Sequence, residues 1–343
     1  MENAVSVPGR SLFMAGIAPA FLCAVLNLLL WYPYGSLTAR LHLLVDQRYL
    51  ALLAGTAVPL GVIVFVLNPV IIHCYEGHYP AVRWLLRWGE RRNRALHARL
   101  YGDILGLRRM RQALDEQSPN GDADHRRRAD SVAMALHAAY SRLEQQHDLR
   151  RLPLTPEFVR PTSLGNAYAA MEEYPYLRYG IDAMVFWTRL VGTVPADYRE
   201  AIGDQKTNCD VLLHLSLILG VTGLEAVAAA VALPLAGHAF QPVAVVVALL
   251  APVLAFGLYR AAVFETVMLG KLINSAFDLH RGTLLRQFGI PSPKSLADER
   301  QVWLRLGAFL QRGEPFYYPE PEPPAESAPA ATPAAGSITH ITH

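Results

Sequence analysis

Four long apolar stretches limit what this chain of 343 residues can fold into. These stretches are residues 11–32, 50–72, 211–235 and 243–263. Each is long enough to cross a bilayer, because a helix needs about 20 apolar residues to span the hydrocarbon core. Pro59 and Pro69 interrupt the second stretch. A kink is expected near Pro59. A proline is tolerated inside a spanning helix because neighbouring groups satisfy the carbonyl that it leaves free. The sequence therefore predicts an all-α membrane protein with four transmembrane helices in two hairpins.

The composition agrees with a membrane protein and argues against several other classes. Only 17% of the residues are charged, whereas soluble proteins average about 25%. The cysteines Cys23, Cys74 and Cys209 are far apart and form no CxxC pair, so neither a disulfide framework nor a zinc site is predicted. The sequence contains no glycine-rich nucleotide-binding motif and no GxSxG nucleophile motif. We therefore predict no enzymatic activity, no cofactor and no nucleic-acid partner.

The segment between the two pairs of apolar stretches is rich in arginine. Residues 80–151 carry fifteen Arg and nine Asp or Glu. Four of the arginines recur at helical spacing opposite apolar side chains, namely Arg83, Arg87, Arg91 and Arg94. This pattern predicts an amphipathic helix that either lies on anionic lipid or is an ordinary solvated surface helix. The turn at 118–124 and a second amphipathic pattern at 125–151 predict an antiparallel helical hairpin.

These patterns divide the chain into six parts. They are an N-terminus at 1–10, a first transmembrane hairpin at 11–73, an Arg-rich helical domain at 74–210, a second transmembrane hairpin at 211–263, a helical extension at 264–312 and a disordered Pro/Ala-rich tail at 313–343. Positive charge near the ends of spans marks the cytoplasmic side. Both termini and the domain between the hairpins are therefore predicted to be cytoplasmic.

Ionisable side chains inside spans are candidate functional groups, because burying one costs several kcal/mol unless it is paired or hydrated. Glu225 lies roughly 20 Å from the cytoplasmic edge of the third span, and Asn27 reaches a similar depth in the first. The two either hydrogen-bond or line a hydrated path; alternatively, Glu225 sits near the far interface and supports helix packing. A cross-helix network that clamps the second hairpin is predicted for Asp210, His214, Arg260 and Glu265.

The loop PTSLGN, residues 161–166, is a candidate ligand-binding site. Hydroxyl, amide and charged groups are offered by Arg160, Thr162, Ser163, Asn166 and Arg178. Free N–H groups at the start of the following helix suit an anion. The alternative is a proline-bounded turn with a helix cap, docked beside the spans by Tyr174, Tyr176, Tyr179 and Trp187.

Two histidine-containing segments do not match a known site pattern. HCYEGHY places His73, Glu76 and His78 near the end of the second span. It fits neither HExxH nor a zinc spacing, so no metal is predicted there. Asp278 and His280 are two residues apart on a predicted helix, and side chains at that spacing do not face each other.

Two segments resemble a known group of proteins. These are residues 161–190, with PTSLGN and RYGID, and residues 276–293, with FDLHR. They resemble uncharacterised bacterial multi-span membrane proteins that carry PTxLGN, RYGID and FDLHR-type elements, over about half of the chain. Where that group has a proline before the final RL, this chain has Thr188. The resemblance implies a shared architecture in the bacterial inner membrane and brings no established activity.

Two functions fit this sequence. The first is a membrane-anchored regulatory or interaction module, whose partners are the lipid bilayer and a protein or ligand that the sequence does not identify. The second is a homo-oligomeric channel or pore gated by the cytoplasmic domain, since four helices are too few to enclose a wide path alone. An intramembrane enzyme is a third reading, but it needs a converging polar set that the spacing does not provide.

Overall fold

The computed structural model describes residues 9–31, 42–78, 83–117, 123–147, 152–237 and 242–318. Within these ranges the regular structure is helical and contains no strand. The helices are α1 (Gly9–Trp31), α2 (Gln47–Val66), α3 (Asn68–Glu76), α4 (Arg83–Gln117), α5 (Ala123–His147), α6 (Ser163–Tyr179), α7 (Ala183–Leu190), α8 (Ala196–Leu235), α9 (Pro242–Gln287) and α10 (Leu296–Arg312). Four of them, α1, α2, α8 and α9, are long and apolar enough to cross a membrane. The all-α class and the four spanning helices are thereby confirmed.

Helices α8 and α9 are much longer than a membrane span. They contain 40 and 46 residues, or about 60 and 69 Å at 1.5 Å per residue, whereas the hydrocarbon core is about 30 Å thick. They run antiparallel: Ser216 donates to the Ala255 carbonyl at 2.9 Å, and Gln205 donates to the Glu265 carbonyl at 3.1 Å. About half of each helix therefore extends beyond the bilayer. Helix α8 begins directly after Pro195.

The extended halves of these helices form an apolar core with the shorter helices around them. The largest buried side chains in it are Phe186, Leu190, Phe277, Leu285 and Trp303. The Phe186 and Trp303 rings meet edge to face, with centroids 5.0 Å apart. Burying a side chain of this size contributes about 1.5–3 kcal/mol. This core joins α7 and α8 to α9 and α10, so the segment predicted as a separate extension packs against the domain that precedes the third span.

Glycines allow α1 and α2 to approach each other closely. A Cβ on Gly16 would lie 2.7 Å from the Gly61 carbonyl oxygen, and one on Gly61 would lie 2.7 Å from the Ile17 Cα. Small residues at such crossings let two backbones pack directly in a membrane. Helix α2 continues through Pro59, and the interruption lies at Leu67, directly before Asn68 and α3.

Helices α4 and α5 pack against each other. The Arg111 guanidinium donates to the Ala129 carbonyl at 3.1 Å. Of the turn predicted at 118–124, residues 118–122 lie outside the described ranges, as do residues 1–8 of the N-terminus and 319–343 of the tail.

Candidate functional site

The PTSLGN loop lies where α3, α4, α6 and α9 meet. From α4, the Asn93 amide donates to the carbonyls of Arg160 and Pro161 at 2.9 and 3.0 Å. From α9, the Tyr259 hydroxyl accepts the Leu164 N–H at 3.2 Å. These contacts hold the loop against one helix outside the predicted spans and one helix within them.

The loop's own side chains stabilise its conformation. Thr162 caps α6 by accepting the Gly165 N–H at 2.9 Å. Asn166, which is 1% exposed, accepts the Arg160 N–H at 2.7 Å and donates to the Arg160 and Thr162 carbonyls at 3.0 and 2.8 Å. Ser163 is half-buried at the start of α6. The side chains of Thr162 and Asn166 are therefore occupied within the loop.

Two arginines were predicted at this loop, and the structure places them apart. Arg178 lies near the end of α6, about 22 Å along the helix from Ser163, where its guanidinium faces the Tyr174 ring at 5.8 Å. Arg160 remains at the loop and bridges two carboxylates, Glu76 at 3.2 Å and Glu172 at 2.7 Å. The positive charge that an anion would need at Arg160 is thus already neutralised by two acids.

A cleft of about 400 Å³ opens beside Arg160. It is lined by Glu157, Phe158, Val159, Arg160, Ala169, Glu172, Glu173, Tyr176, Asp182, Ala183 and Met184. The lining contains four carboxylates and one guanidinium, and the apolar groups of Phe158, Tyr176 and Met184 are exposed. The volume falls in the range of about 300–1,000 Å³ that small-molecule sites occupy. The chemistry suits a ligand that combines positive charge with an apolar body.

Two of the cleft carboxylates are fixed by backbone hydrogen bonds. Glu173 accepts the Leu154 and Thr155 N–H groups at 2.6 and 2.8 Å. Asp182 caps α7 by accepting the Met184 N–H at 2.9 Å, and it also accepts from Gln311 at 2.8 Å. These bonds hold the acidic wall of the cleft in place before a ligand binds.

Glu172 is a carboxylate of the cleft whose pKa is raised. Burial raises its pKa above the ordinary 4.5, the positive charge of Arg160 opposes that rise, and the negative charge of Glu76 adds to it. Desolvation disfavours the charged form of a buried acid, which explains the direction. Glu172 therefore takes up a proton at a higher pH than an ordinary glutamate does.

A buried polar network connects α1, α3 and α8. Asn68 donates to Asp210 at 3.0 Å and contacts the His214 Nε2 at 3.1 Å. Lys206 pairs with Asp210 at 2.6 Å, and the other ring nitrogen of His214 bonds to the Ala15 carbonyl. Sequence reasoning selected Asp210 and His214 but missed Asn68, which joins them. A polar residue at the end of the second apolar stretch is the signal that marks it.

The remaining polar residues of the spans lie apart from that network. Glu265 accepts from Gln205, and Arg260 is half-buried on α9. Asn27 donates to the Cys23 carbonyl in its own helix at 3.2 Å. The Glu225 carboxylate is close enough to interact electrostatically with Cys23. Its Oε2 atom is buried without a hydrogen-bond partner among the described residues.

Three of the aromatic side chains predicted to dock beside the spans contact α9 beyond the fourth predicted span, at Phe277 and Asp278. Tyr174 and Tyr179 donate to the Asp278 carboxylate, at 3.0 and 2.7 Å. Burial and this bond raise the pKa of Tyr179 to about 12. The Trp187 ring lies 6.1 Å from that of Phe277, whereas Tyr176 is exposed. As expected from their spacing, Asp278 and His280 face different partners, since the His280 ring lies beside Tyr198.

The start of α4 presents cationic and aromatic groups to solvent. Trp84 and Trp88 are 75% and 59% exposed, and Arg92 stacks over Trp88 at 5.7 Å. Arg87 and Arg91 are exposed, whereas Arg94 pairs with Glu90 at 2.6 Å. The side chain of Arg83 lies outside the described set.

The end of α3 brings together a metal-ligating set that sequence spacing did not predict. Ligand atoms of His73, Glu76 and His78 all lie within 4.8 Å of one another. Gly77 adopts a left-handed conformation, with φ of 93°, and turns His78 back over the end of the helix. A glycine directly after a helix is the sequence signal for such a turn.

Comparison with known proteins adds no further assignment. The chain matches no protein-family profile, no curated protein and no solved structure to which it was compared.

Proposed function

We propose that this chain is a multi-pass protein of the bacterial inner membrane that acts as a membrane-anchored regulatory module. Its four spans form two hairpins, and its helical domain lies in the cytoplasm and binds an amphipathic organic cation. The observation that carries this proposal is the acidic cleft between α6 and α7, with four carboxylates, one guanidinium and three exposed apolar side chains.

Charge distribution supports the proposed orientation. The excess of arginine over acidic residues falls at 80–151, and its first members lie within about 20 residues of the second apolar stretch. Arginine at that distance from a span favours the cytoplasmic side. The extended halves of α8 and α9 share a core with α7 and α10, which supports the same side for all four.

Hydrogen bonds connect the cleft to helices that lead into the spans. Arg160 lines the cleft and pairs with Glu76 at the end of α3. The loop that carries Arg160 also bonds to Tyr259 on α9. A ligand that draws Arg160 or Glu172 into new contacts changes the ion pair that holds α3 to the loop. This connection is the reason for proposing a regulatory rather than a purely anchoring role.

The proposal is tested by calorimetry on the full chain in nanodiscs, with phenethylamine as the probe. Phenethyl alcohol has the same apolar body without the charge, so it is the matched control ligand. We expect the amine to bind and the alcohol to bind at least tenfold more weakly. Glu172→Gln should weaken binding of the amine, whereas Glu200→Gln, an exposed acid on α8 outside the cleft, should not. Equal binding of both probes would contradict the proposal.

We further propose that the exposed start of α4 lies on anionic lipid. Tryptophan prefers the headgroup level of a membrane, and arginine is attracted to anionic headgroups. Brominated anionic lipid in nanodiscs should quench tryptophan fluorescence of the chain. A variant that changes Trp84 and Trp88 to Phe should lose most of the difference between anionic and zwitterionic lipid. The same quenching in both lipids would argue for a solvated helix.

A homo-oligomeric pore is the second candidate, and the unpartnered Oε2 of Glu225 favours it. Acidic side chains within membrane spans commonly mark ion or proton pathways. Light scattering on the extracted protein distinguishes the two functions, because a pore requires a ring of four or more subunits. Conductance that is lost in Glu225→Gln would favour the pore, and a monomer or dimer that tolerates this change would favour the module.

A further inference from the structure

The end of α3 holds two imidazoles and one carboxylate in a compact group. The His73 Nδ1 lies 3.9 Å from the Glu76 Oε2, and the His78 Nδ1 lies 3.4 Å from the same oxygen. The backbone fixes this arrangement: the His78 N–H donates to the His73 carbonyl at 3.2 Å across Gly77. Three residues of the types that bind transition metals thus surround one point at the end of the helix.

We propose that His73, Glu76 and His78 bind a divalent first-row transition metal ion. Two ligands at about 2.1 Å from a tetrahedral Zn²⁺ lie about 3.4 Å apart, which equals the separation of His78 from Glu76 and is shorter than the 3.9 Å between His73 and Glu76. The imidazole side chains are 66% and 41% exposed, so they can rotate the short distance needed to close around an ion. Their exposure also leaves the fourth position open to water or to a further ligand.

The ligand types define the class of metal. Imidazole nitrogen with one carboxylate suits zinc, nickel, cobalt, copper and ferrous iron. Mg²⁺ and Ca²⁺ prefer sets made of oxygen atoms, so they fit this group poorly. The Cys74 sulfur is not among the converging atoms, although it lies between two of the ligands in sequence.

Arg160 connects this site to the cleft. Its guanidinium donates to the same Glu76 Oε2 atom, at 3.2 Å, and to Glu172 at 2.7 Å. A metal ion on that oxygen competes with Arg160 and leaves it paired with Glu172. Metal occupancy therefore redistributes charge at the cleft, a link that concerns the same loop but does not depend on what the cleft binds.

The first test is Zn²⁺ titration of the full chain in nanodiscs, by calorimetry and by competition with a chromophoric chelator. We expect one Zn²⁺ to bind per chain with micromolar affinity or tighter. Bound Co²⁺ should give absorption in the visible range. His78→Ala and Glu76→Gln should each weaken Zn²⁺ binding by about tenfold to 100-fold or more. Removing a hydrogen-bond partner of a metal ligand already lowers metal affinity by that factor, and these variants remove a ligand itself. Arg160→Gln should strengthen Zn²⁺ binding, because the competing guanidinium is removed.

Matched variants separate this site from other histidines and thiols. His42→Ala changes an exposed histidine elsewhere, Cys74→Ser removes the neighbouring thiol, and a joint change of His340 and His343 to Ala removes the tail histidines. All three should retain Zn²⁺ affinity. The proposal is overturned if His78→Ala binds Zn²⁺ normally, if the tail variant loses the binding, or if Mg²⁺ binds as well as Zn²⁺. Weaker binding in Arg160→Gln would overturn the competition between Arg160 and the metal.

Discussion

Gly165 shows how closely the PTSLGN loop packs against the end of α3. A Cβ at this position would collide with the Glu76 carbonyl oxygen and would lie 3.0 Å from the Thr162 Oγ1 and 3.1 Å from the Arg160 Cβ. Two of these neighbours are themselves held, because Thr162 caps α6 and Arg160 bridges two carboxylates. Glycine is therefore required here by the close approach of two backbones rather than by an unusual φ.

Gly165→Ala is predicted to lower the free energy of unfolding by about 1–3 kcal/mol, the usual cost of forcing an extra methyl group into a packed site. Gly203→Ala is the matched control, because nothing lies within 4 Å of a Cβ at that helical position. It should leave stability unchanged or raise it by up to about 1 kcal/mol, since alanine is the better helix former. Thermal unfolding in detergent compares the two variants, and equal shifts would show that the loop adapts without cost.

Glu172 is predicted to make cation binding in the cleft depend on pH. Its pKa lies above the ordinary 4.5 because it is buried. As the pH falls, Glu172 therefore becomes protonated and loses its negative charge at a higher pH than an exposed glutamate does. Affinity for phenethylamine should fall as the pH decreases through this raised pKa, and Glu172→Gln should abolish that part of the decrease. Titrations from neutral to mildly acidic pH measure it; an unchanged profile in the variant would assign the effect to another acid.

The raised pKa of Glu172 affects folding stability with the opposite dependence on pH. The folded chain holds the Glu172 proton more tightly than the unfolded chain does, so this group favours the folded state at low pH. That contribution is lost as the pH rises through the folded-state pKa.

At the scale of helices, sequence patterns predicted individual elements better than their partners. Hydropathy located the four spans, and Pro195 marked the start of α8. Thr162 and Asn166 were selected as polar groups of a loop before a helix. The periodicity of one helix gives the width of its apolar face but does not identify the helix that covers it. The shared core of α7 to α10 was not predicted for that reason.

The candidate site was predicted only in part, because it depends on contacts distant in sequence. Arg160 pairs with Glu76, which lies 84 positions away. The cleft combines the loop at 157–160 with residues of α6 and α7. No local motif encodes such a pairing, so the residue types were recognisable while their convergence was not.

Asn68 is predicted to be essential for joining α3 to α8. Asn68→Ala removes one of two donors to Asp210, which keeps its bond to Lys206, and it removes the partner of the buried His214 Nε2. Losing a partner of a buried polar group costs about 1–3 kcal/mol, and more when that group is charged. Asn93→Ala also removes two hydrogen bonds, but to backbone carbonyls outside the spans. Thermal unfolding should show the larger loss for Asn68→Ala, and a smaller loss would mean that water replaces the amide.

At the scale of the whole molecule, the spans and the domain outside them form a continuous body. Large apolar side chains remain exposed on the spanning parts of α8 and α9, including Leu224, Val231, Leu249, Val253 and Phe256. Large contiguous apolar surfaces are rare on soluble monomers and mark contact with a membrane or a partner. Lipid contact along these faces agrees with the four-span architecture.

The proposed orientation predicts where reporter fusions will be active. A reporter that works only in the cytoplasm should be active when it is fused after residue 318, beyond α10, and when it is inserted at residues 118–122, between α4 and α5. One that works only outside the membrane should be active at 238–241, between α8 and α9. The reverse pattern would place the acidic cleft on the external face and contradict the proposed orientation.

Because α9 is long, the tilt of its membrane span determines the position of the domain outside the membrane. About 24 of its residues lie beyond the fourth predicted span, which makes a lever arm of about 36 Å. A thinner bilayer tilts a span of fixed length further from the membrane normal, and a tilt of about 10° swings the end of such an arm by about 6 Å. Phe277 and Leu285 on this arm pack in the domain core. A change in membrane thickness would therefore move the domain that bears the cleft relative to the bilayer.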